Sequence, residues 1–142
     1  MLARRANIRQ HAGMPHTRKI AFWLPALLWA GLIFFLSSQS RLPDIGPQFP
    51  DKDKVEHLVF YTIFWFCLLL PLRYGHRFSL TTTIVLAFLI TSAYGASDEF
   101  HQRFVPHRTC DVADWVADTF GGFLAAAAYW VYETSRSPKT NR

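Results

Sequence analysis

Three short stretches of this chain carry the residue types of acid–base and ligand-holding chemistry. The first is Asp53-Lys54-Val55-Glu56-His57. The second runs from Asp98 to Arg108 and holds Asp98, Glu99, His101, Gln102, Arg103, His107 and Arg108. The third is Asp111, Asp114 and Asp118. A histidine beside carboxylates can act as a general base or a nucleophile, so His57, Asp98 and Glu99 are the candidate catalytic residues. No serine or cysteine lies in a recognisable nucleophile motif, so ligand binding competes with catalysis as the role of these groups. The candidate binding set is Asp53, Lys54, His57, Asp98, Glu99, Gln102, Arg108, Asp111 and Asp114. Lys54, Arg103 and Arg108 are the cations suited to an anionic headgroup. His57, His101 and His107, with Asp98, Glu99 and Asp114, supply donors enough for a metal. No H-E-x-x-H or comparable ordered spacing is present, so neither a metal nor another cofactor is expected. His101 and His107 read as solvated loop histidines.

Half of the residues are hydrophobic (51%), and they collect in blocks over 20–36, 55–72, 80–96 and 112–132. A helix needs about 17–25 mostly apolar residues to cross the ~30 Å hydrocarbon core. All four blocks reach that length, and they are continuous rather than alternating, which argues against strands. Backbone polar groups in lipid must be satisfied within their own segment, which also selects helices. The expected fold is an all-α integral membrane bundle of four transmembrane helices over residues 20–132. Residues 1–19 form a polar, basic tail, disordered or lying at the inner headgroups, and 133–142 form a second tail. The core of the first block, about 17 residues, exceeds the usual 7–15 of a leader peptide, and no A-x-A-like site follows it. It is therefore read as a span.

A net charge of +5 invites a nucleic-acid reading, but the placement of the charges opposes it. Ten basic residues precede block one, separate blocks two and three, or follow block four. Arg41, Lys52, Lys54, Arg103 and Arg108 make up the five on the other side. The positive-inside rule then puts both termini in the cytoplasm of a multi-pass inner-membrane protein. Membrane lipids, with a lipid-linked envelope ligand, are the expected partners. Cys67 lies within block two and Cys110 at the outer end of block four, too far apart in depth for the ~7 Å Cα limit of a disulfide.

This topology brings the three charged stretches to one outer face. On helices, Asp53 and His57 are i,i+4 neighbours, as are Asp98 and Gln102 if the third helix continues past Gly95. Asp111, Asp114 and Asp118 share one face, with Asp118 roughly 10 Å below Asp111 along the axis. A carboxylate at that depth requires a partner, and the planar fork of Arg108 is the preferred one. Ala113, Ala117, Gly121 and Ala125 form a small-residue stripe for close helix packing, with the aspartates on the adjacent stripe. Pro25 is expected to kink helix one. Asp51, before helix two, is a reasonable N-cap, and helix two is expected to end near Pro71. Trp115, Tyr129, Trp130 and Tyr132 read as interfacial belt residues.

The pattern D-K-x-x-H (Asp53, Lys54, His57), then Y-G-x-x-D-E-x-x-Q-x-F-x-P-x-R (Tyr94 to Arg108), then Asp111, Asp114 and Gly121, resembles the VanZ-like membrane proteins. Leu36-Ser37-Ser38-Gln39 adds to the likeness, which extends over about residues 20–132. The family commonly has asparagine where this chain has Asp118, a change that alters pairing and proton requirements there. The resemblance implies a small multi-helix bacterial membrane protein. It also implies a link to glycopeptide susceptibility, since the founding member is tied to low-level teicoplanin resistance. Most members have no established biochemical activity. Three functions follow as expectations. The first is a non-enzymatic envelope protein binding an anionic lipid or modulating teicoplanin susceptibility. The second is a membrane-embedded hydrolase or transferase acting on an envelope lipid. The third is a structural subunit whose polar cluster only ties helices together.

Overall fold

A computed structural model describes residues 16–41, 47 and 49–136. All regular structure among them is helical. Helix α1 spans His16–Ala21 and α2 spans Leu24–Ser37. Helix α3, Lys52–Leu69, passes directly into a π-helical segment, Leu70–Gly75. Helix α4 is Leu80–Gln102 and α5 is Val112–Arg136. Most of the basic N-terminal tail lies outside the described residues, but its last part, from His16, is helical rather than irregular.

Among the described residues, three stretches are long and apolar enough to cross a membrane: Lys19–Ser37, Lys52–Gly75 and Leu80–Gln102. The 25 residues of α5 extend ~37 Å at 1.5 Å per residue. Its length suffices, but Asp114, Asp118, Glu133 and its small residues lower its hydropathy.

Proline sets two local details. Pro25 falls in the first turn of α2, where its missing N–H costs no helical bond. It kinks nothing. The break lies before it, at the turn between α1 and α2, closed by Trp23 N–H donating to Ile20 O at 3.0 Å. As expected, the α-helical part of the second long helix ends near Pro71. The proline ring clashes with the carbonyl one turn back, and the chain widens into π geometry until His76 N–H reaches Pro71 O at 2.7 Å. Ser79 caps α4, accepting from Thr82 N at 3.1 Å. Asp51 occupies the N-cap position of α3 with φ 57° and makes no side-chain cap bond.

The tightest pairing is α3 with α5, and α4 packs next against α5. Tyr61, Phe64, Trp65 and Leu68 of α3 meet Ala125, Ala126 and Tyr129 of α5 in the core. Close approach is set by glycine. A Cβ on Gly121 would stand 2.4 Å from the Leu58 carbonyl oxygen, and one on Gly122 would stand 3.0 Å from Thr91 Cγ2. The seam is therefore real but rotated from the expected stripe. Its buried members are Asp114, Asp118, Gly121, Gly122, Ala125, Ala126 and Tyr129, while Ala113 is exposed. The aspartates lie in the seam itself. Tyr129 also leaves the expected belt, because it is buried with its ring 5.8 Å from that of Trp65. Helix α2 joins through polar ties. Trp29 Nε1–H donates to Phe60 O at 2.9 Å, and Tyr94 O–H donates to Ala30 O at 2.7 Å.

The outer surface is apolar. Leu27, Leu28, Phe35, Leu89, Phe120, Phe123 and Val131 are exposed. A band of this extent is unusual for a soluble monomer and fits contact with hydrocarbon. Both cysteines are free thiols.

Candidate functional site

Helix α3 begins, α4 ends and α5 begins at the same end of the bundle, so the three charged stretches converge there as expected. Helix α4 does continue past Gly95, to Gln102. This places Asp98, Glu99 and Gln102 inside the bundle, each 5% exposed or less.

The deepest member is Asp118, at 0% exposure. Its Oδ1 lies 3.0 Å from His57 Nδ1. The expected Arg108 partnership does not form. The reason is reach: Arg108 is drawn to the end of α2, where its Nε–H donates to Gln39 O at 3.1 Å and its Nη2–H to Leu36 O at 3.3 Å. These carbonyls close the negative end of the helix dipole, which favours a cation. His57, one turn into α3, directly faces Asp118. Gly95 makes the space, because a Cβ there would stand 2.7 Å from Asp118 Oδ2.

Above this pair, Lys54 Nζ lies 3.1 Å from Asp114 Oδ1, 3.4 Å from Asp111 Oδ2 and 3.3 Å from Asp53 Oδ2. Asp111 also caps α5, its Oδ1 accepting from Ala113 N at 2.8 Å. That backbone N–H, and then the Lys54 ammonium, hold the Asp111 carboxyl below its usual 3.8 despite some desolvation. Glu99 Oε2 accepts from Asp111 N at 2.9 Å. Its other oxygen, Oε1, is buried with no hydrogen-bond partner among the described residues, as is Asp118 Oδ2. Gln102 Nε2 donates to Asp98 Oδ2 at 3.4 Å, the expected i,i+4 pair. Asp53 is exposed and pairs with Lys54, not His57.

A cavity of about 100 Å³ opens beside His57. Ile33, Leu36 and Phe60 give it an apolar wall. His57, Asp98, Gln102 and Arg108 give it a polar one, with Asp53 and Glu56 also lining it. Ser37 and Tyr61 line it as well, and sequence reasoning missed both. Tyr61 was detectable as the i+4 neighbour of His57, and its ring lies parallel to the imidazole at 6.4 Å. Glu99, Asp111, Asp114 and Lys54 belong to the adjoining network rather than to the cavity wall.

His101 is not a solvated loop residue. It lies in α4, its Nε2 is 3.0 Å from Ser38 Oγ, and its ring packs 4.7 Å from that of Phe34. It ties α4 to α2. His107 is exposed in the connecting loop, as expected. Arg103 is exposed, its guanidinium 5.8 Å from the Phe100 ring.

Chemically, the cluster holds four buried carboxylates, those of Asp98, Glu99, Asp114 and Asp118. His57 offers an imidazole oriented by a carboxylate. One ring nitrogen of His57 and one oxygen each of Glu99 and Asp114 lie within 4.8 Å of one another. These three come from three different helices, so no linear metal motif announces them.

No curated protein and no solved structure matches the chain. The model of the VanZ/LLP1 family matches residues 22–133, a range that holds every residue of this cluster. The chain therefore belongs to the VanZ/LLP1 family.

Proposed function

We propose that this membrane protein receives the polar head of an amphiphilic envelope lipid in the cavity beside His57, and through it modulates glycopeptide (teicoplanin) susceptibility. In this reading α5 is a fourth span, and both termini, with the tails 1–19 and 133–142, lie on the cytoplasmic side. The bundle then spans the bacterial inner membrane with the cavity facing outward. The placement of basic residues supports that orientation.

The observation that carries the reading is the two-sided cavity: Ile33, Leu36 and Phe60 on one wall, and His57, Asp98, Gln102 and Arg108 on the other. Such a lining suits a molecule with one apolar and one polar end. Polar side chains at membrane depth are expensive and are functional candidates by default.

A photo-crosslinking residue at Phe60, with one at the lipid-exposed Leu89 as reference, tests it in cells. Adducts at Phe60 should be enriched in one lipid class relative to Leu89. Indistinguishable adduct profiles at the two positions would sink the reading. Teicoplanin susceptibility in cells carrying Asp98→Asn then decides whether the cavity matters to the phenotype.

A second reading, a lipid hydrolase or transferase, is favoured by one observation. Asp118 holds His57 through Nδ1, the arrangement that orients an imidazole general base. It requires envelope-lipid turnover that is lost in His57→Ala.

A further inference from the structure

We propose that His57, Glu99 and Asp114 form a binding site for a divalent transition-metal ion such as Zn²⁺, with Asp118 as the residue that orients the imidazole. Three observations lead there.

The first is geometric. One donor atom from each of the three residues lies within 4.8 Å of the others. Zn²⁺ bonds of about 2.0–2.2 Å hold tetrahedral ligands roughly 3.4 Å apart, so the three donors need to draw inward by roughly 1 Å.

The second is an unmet demand. Glu99 is 4% exposed, and its Oε1 has no hydrogen-bond partner among the described residues. A buried carboxylate oxygen left without a partner carries its full desolvation cost. Asp98, Glu99, Asp114 and Asp118 bring four buried carboxylates together. Lys54 is the cation at Asp114, and Arg108 is committed to the carbonyls of α2. A dication supplies the missing positive charge.

The third is the partner of His57. Asp118 Oδ1 lies 3.0 Å from His57 Nδ1, and in the tautomer with its proton on Nδ1 the neutral ring keeps its lone pair on Nε2. Metal-ligating histidines almost always donate their other N–H to a carboxylate or carbonyl in this way.

Imidazole among the donors favours zinc over magnesium or calcium, which take oxygen ligands. Lys54 does not block the site, since Asp53 and Asp111 remain as its counter-ions when Asp114 turns to the metal. Three protein donors leave a coordination position open. That the polar lipid head takes this position rests on the reading above, whereas metal binding itself does not.

The test uses tag-free, full-length protein in detergent without added lipid, stripped with chelator and titrated with Zn²⁺ alone. One equivalent should bind per chain. Glu99→Gln and Asp114→Asn should each weaken binding at least tenfold, and Asp118→Asn by about 10–100-fold. His107→Asn, in the exposed connecting loop, should leave it unchanged. X-ray absorption on the zinc-loaded wild type should show one imidazole and oxygen donors, a readout that does not depend on any variant folding. Absence of saturable binding, two or more imidazoles at the metal, or full binding in folded Glu99→Gln and Asp114→Asn each overturns the site. Zinc binding without lipid enrichment at Phe60 retires the lipid reading alone, and the converse result retires the metal alone.

Discussion

Gly95 and Asp118 are in direct contact: a Cβ on Gly95 would stand 2.7 Å from Asp118 Oδ2 and 2.9 Å from Asp118 Cβ. The glycine of one helix is the space into which the deepest carboxylate of another is set, within reach of His57 at 3.0 Å.

Gly95→Ala therefore forces a methyl into an occupied volume. Overpacking of this kind costs about 1–3 kcal/mol. The loss should appear as a lower midpoint in detergent unfolding. A double-mutant cycle with Asp118→Ala should show coupling of at least ~0.5 kcal/mol. Strict additivity of the two changes would contradict the contact.

Gly121→Ala should be worse, because its new methyl meets the Leu58 backbone oxygen at 2.4 Å, not a movable side chain. Backbone must shift, and α3 and α5 must separate. Gly31→Ala is the reference, with nothing within 4 Å of the added atom. It should be neutral or stabilising by up to ~1 kcal/mol through helix propensity. Comparing the two unfolding midpoints checks the α3–α5 seam directly.

Arg108→Ala removes both guanidinium bonds to the end of α2. Hydrogen bonds to charged groups contribute about 1.5–3 kcal/mol. Amide exchange near Leu36 to Gln39 should accelerate while the α3–α5 core stays protected. Arg108→Lys should rescue only part of this, since an ammonium does not reproduce the fork. Unchanged exchange in Arg108→Ala would show that α2 is held by other contacts alone.

Asp111 connects acid pH to the start of α5. Its carboxyl is held below its usual value first by Ala113 N–H and then by Lys54. A depressed carboxyl contributes stability above its unfolded pKa, and that contribution is lost as pH falls through the folded pKa. Stability should therefore decline on acidification. Asp111→Asn, which keeps a cap acceptor but does not titrate, should flatten that decline. Melting curves from about pH 6 to about pH 2 compare the two. Parallel acid limbs would remove Asp111 from the account.

Much of the arrangement was legible before any coordinates. Continuous apolar blocks selected helices, and alternating direction carried Asp53–His57, Asp98–Arg108 and Asp111–Asp118 to one end. What stayed hidden was pairing. Arg108 looked like the partner of Asp118 because its fork suits a carboxylate, yet the nearby carbonyl end of α2 holds it. His101 looked like a loop residue because charge surrounds it, yet α4 runs on to Gln102 and packs it against Phe34. The small-residue stripe was found one position away from its true centre, because the four-residue recurrence of small residues centred it on Ala113, Ala117, Gly121 and Ala125 and left the aspartates on the adjacent stripe.

By itself the amino-acid order determined the class of this protein. Apolar length dictates helices in a membrane, charge asymmetry dictates an expected orientation, and the spaced motif dictates the family. Only tertiary structure decided which groups touch. Helix rotation of a fraction of a turn, set by Gly95, Gly121 and Gly122, turns Asp118 toward His57 and brings Glu99 and Asp114 beside them. That rotation depends on packing among three helices at once, and no local spacing encodes it.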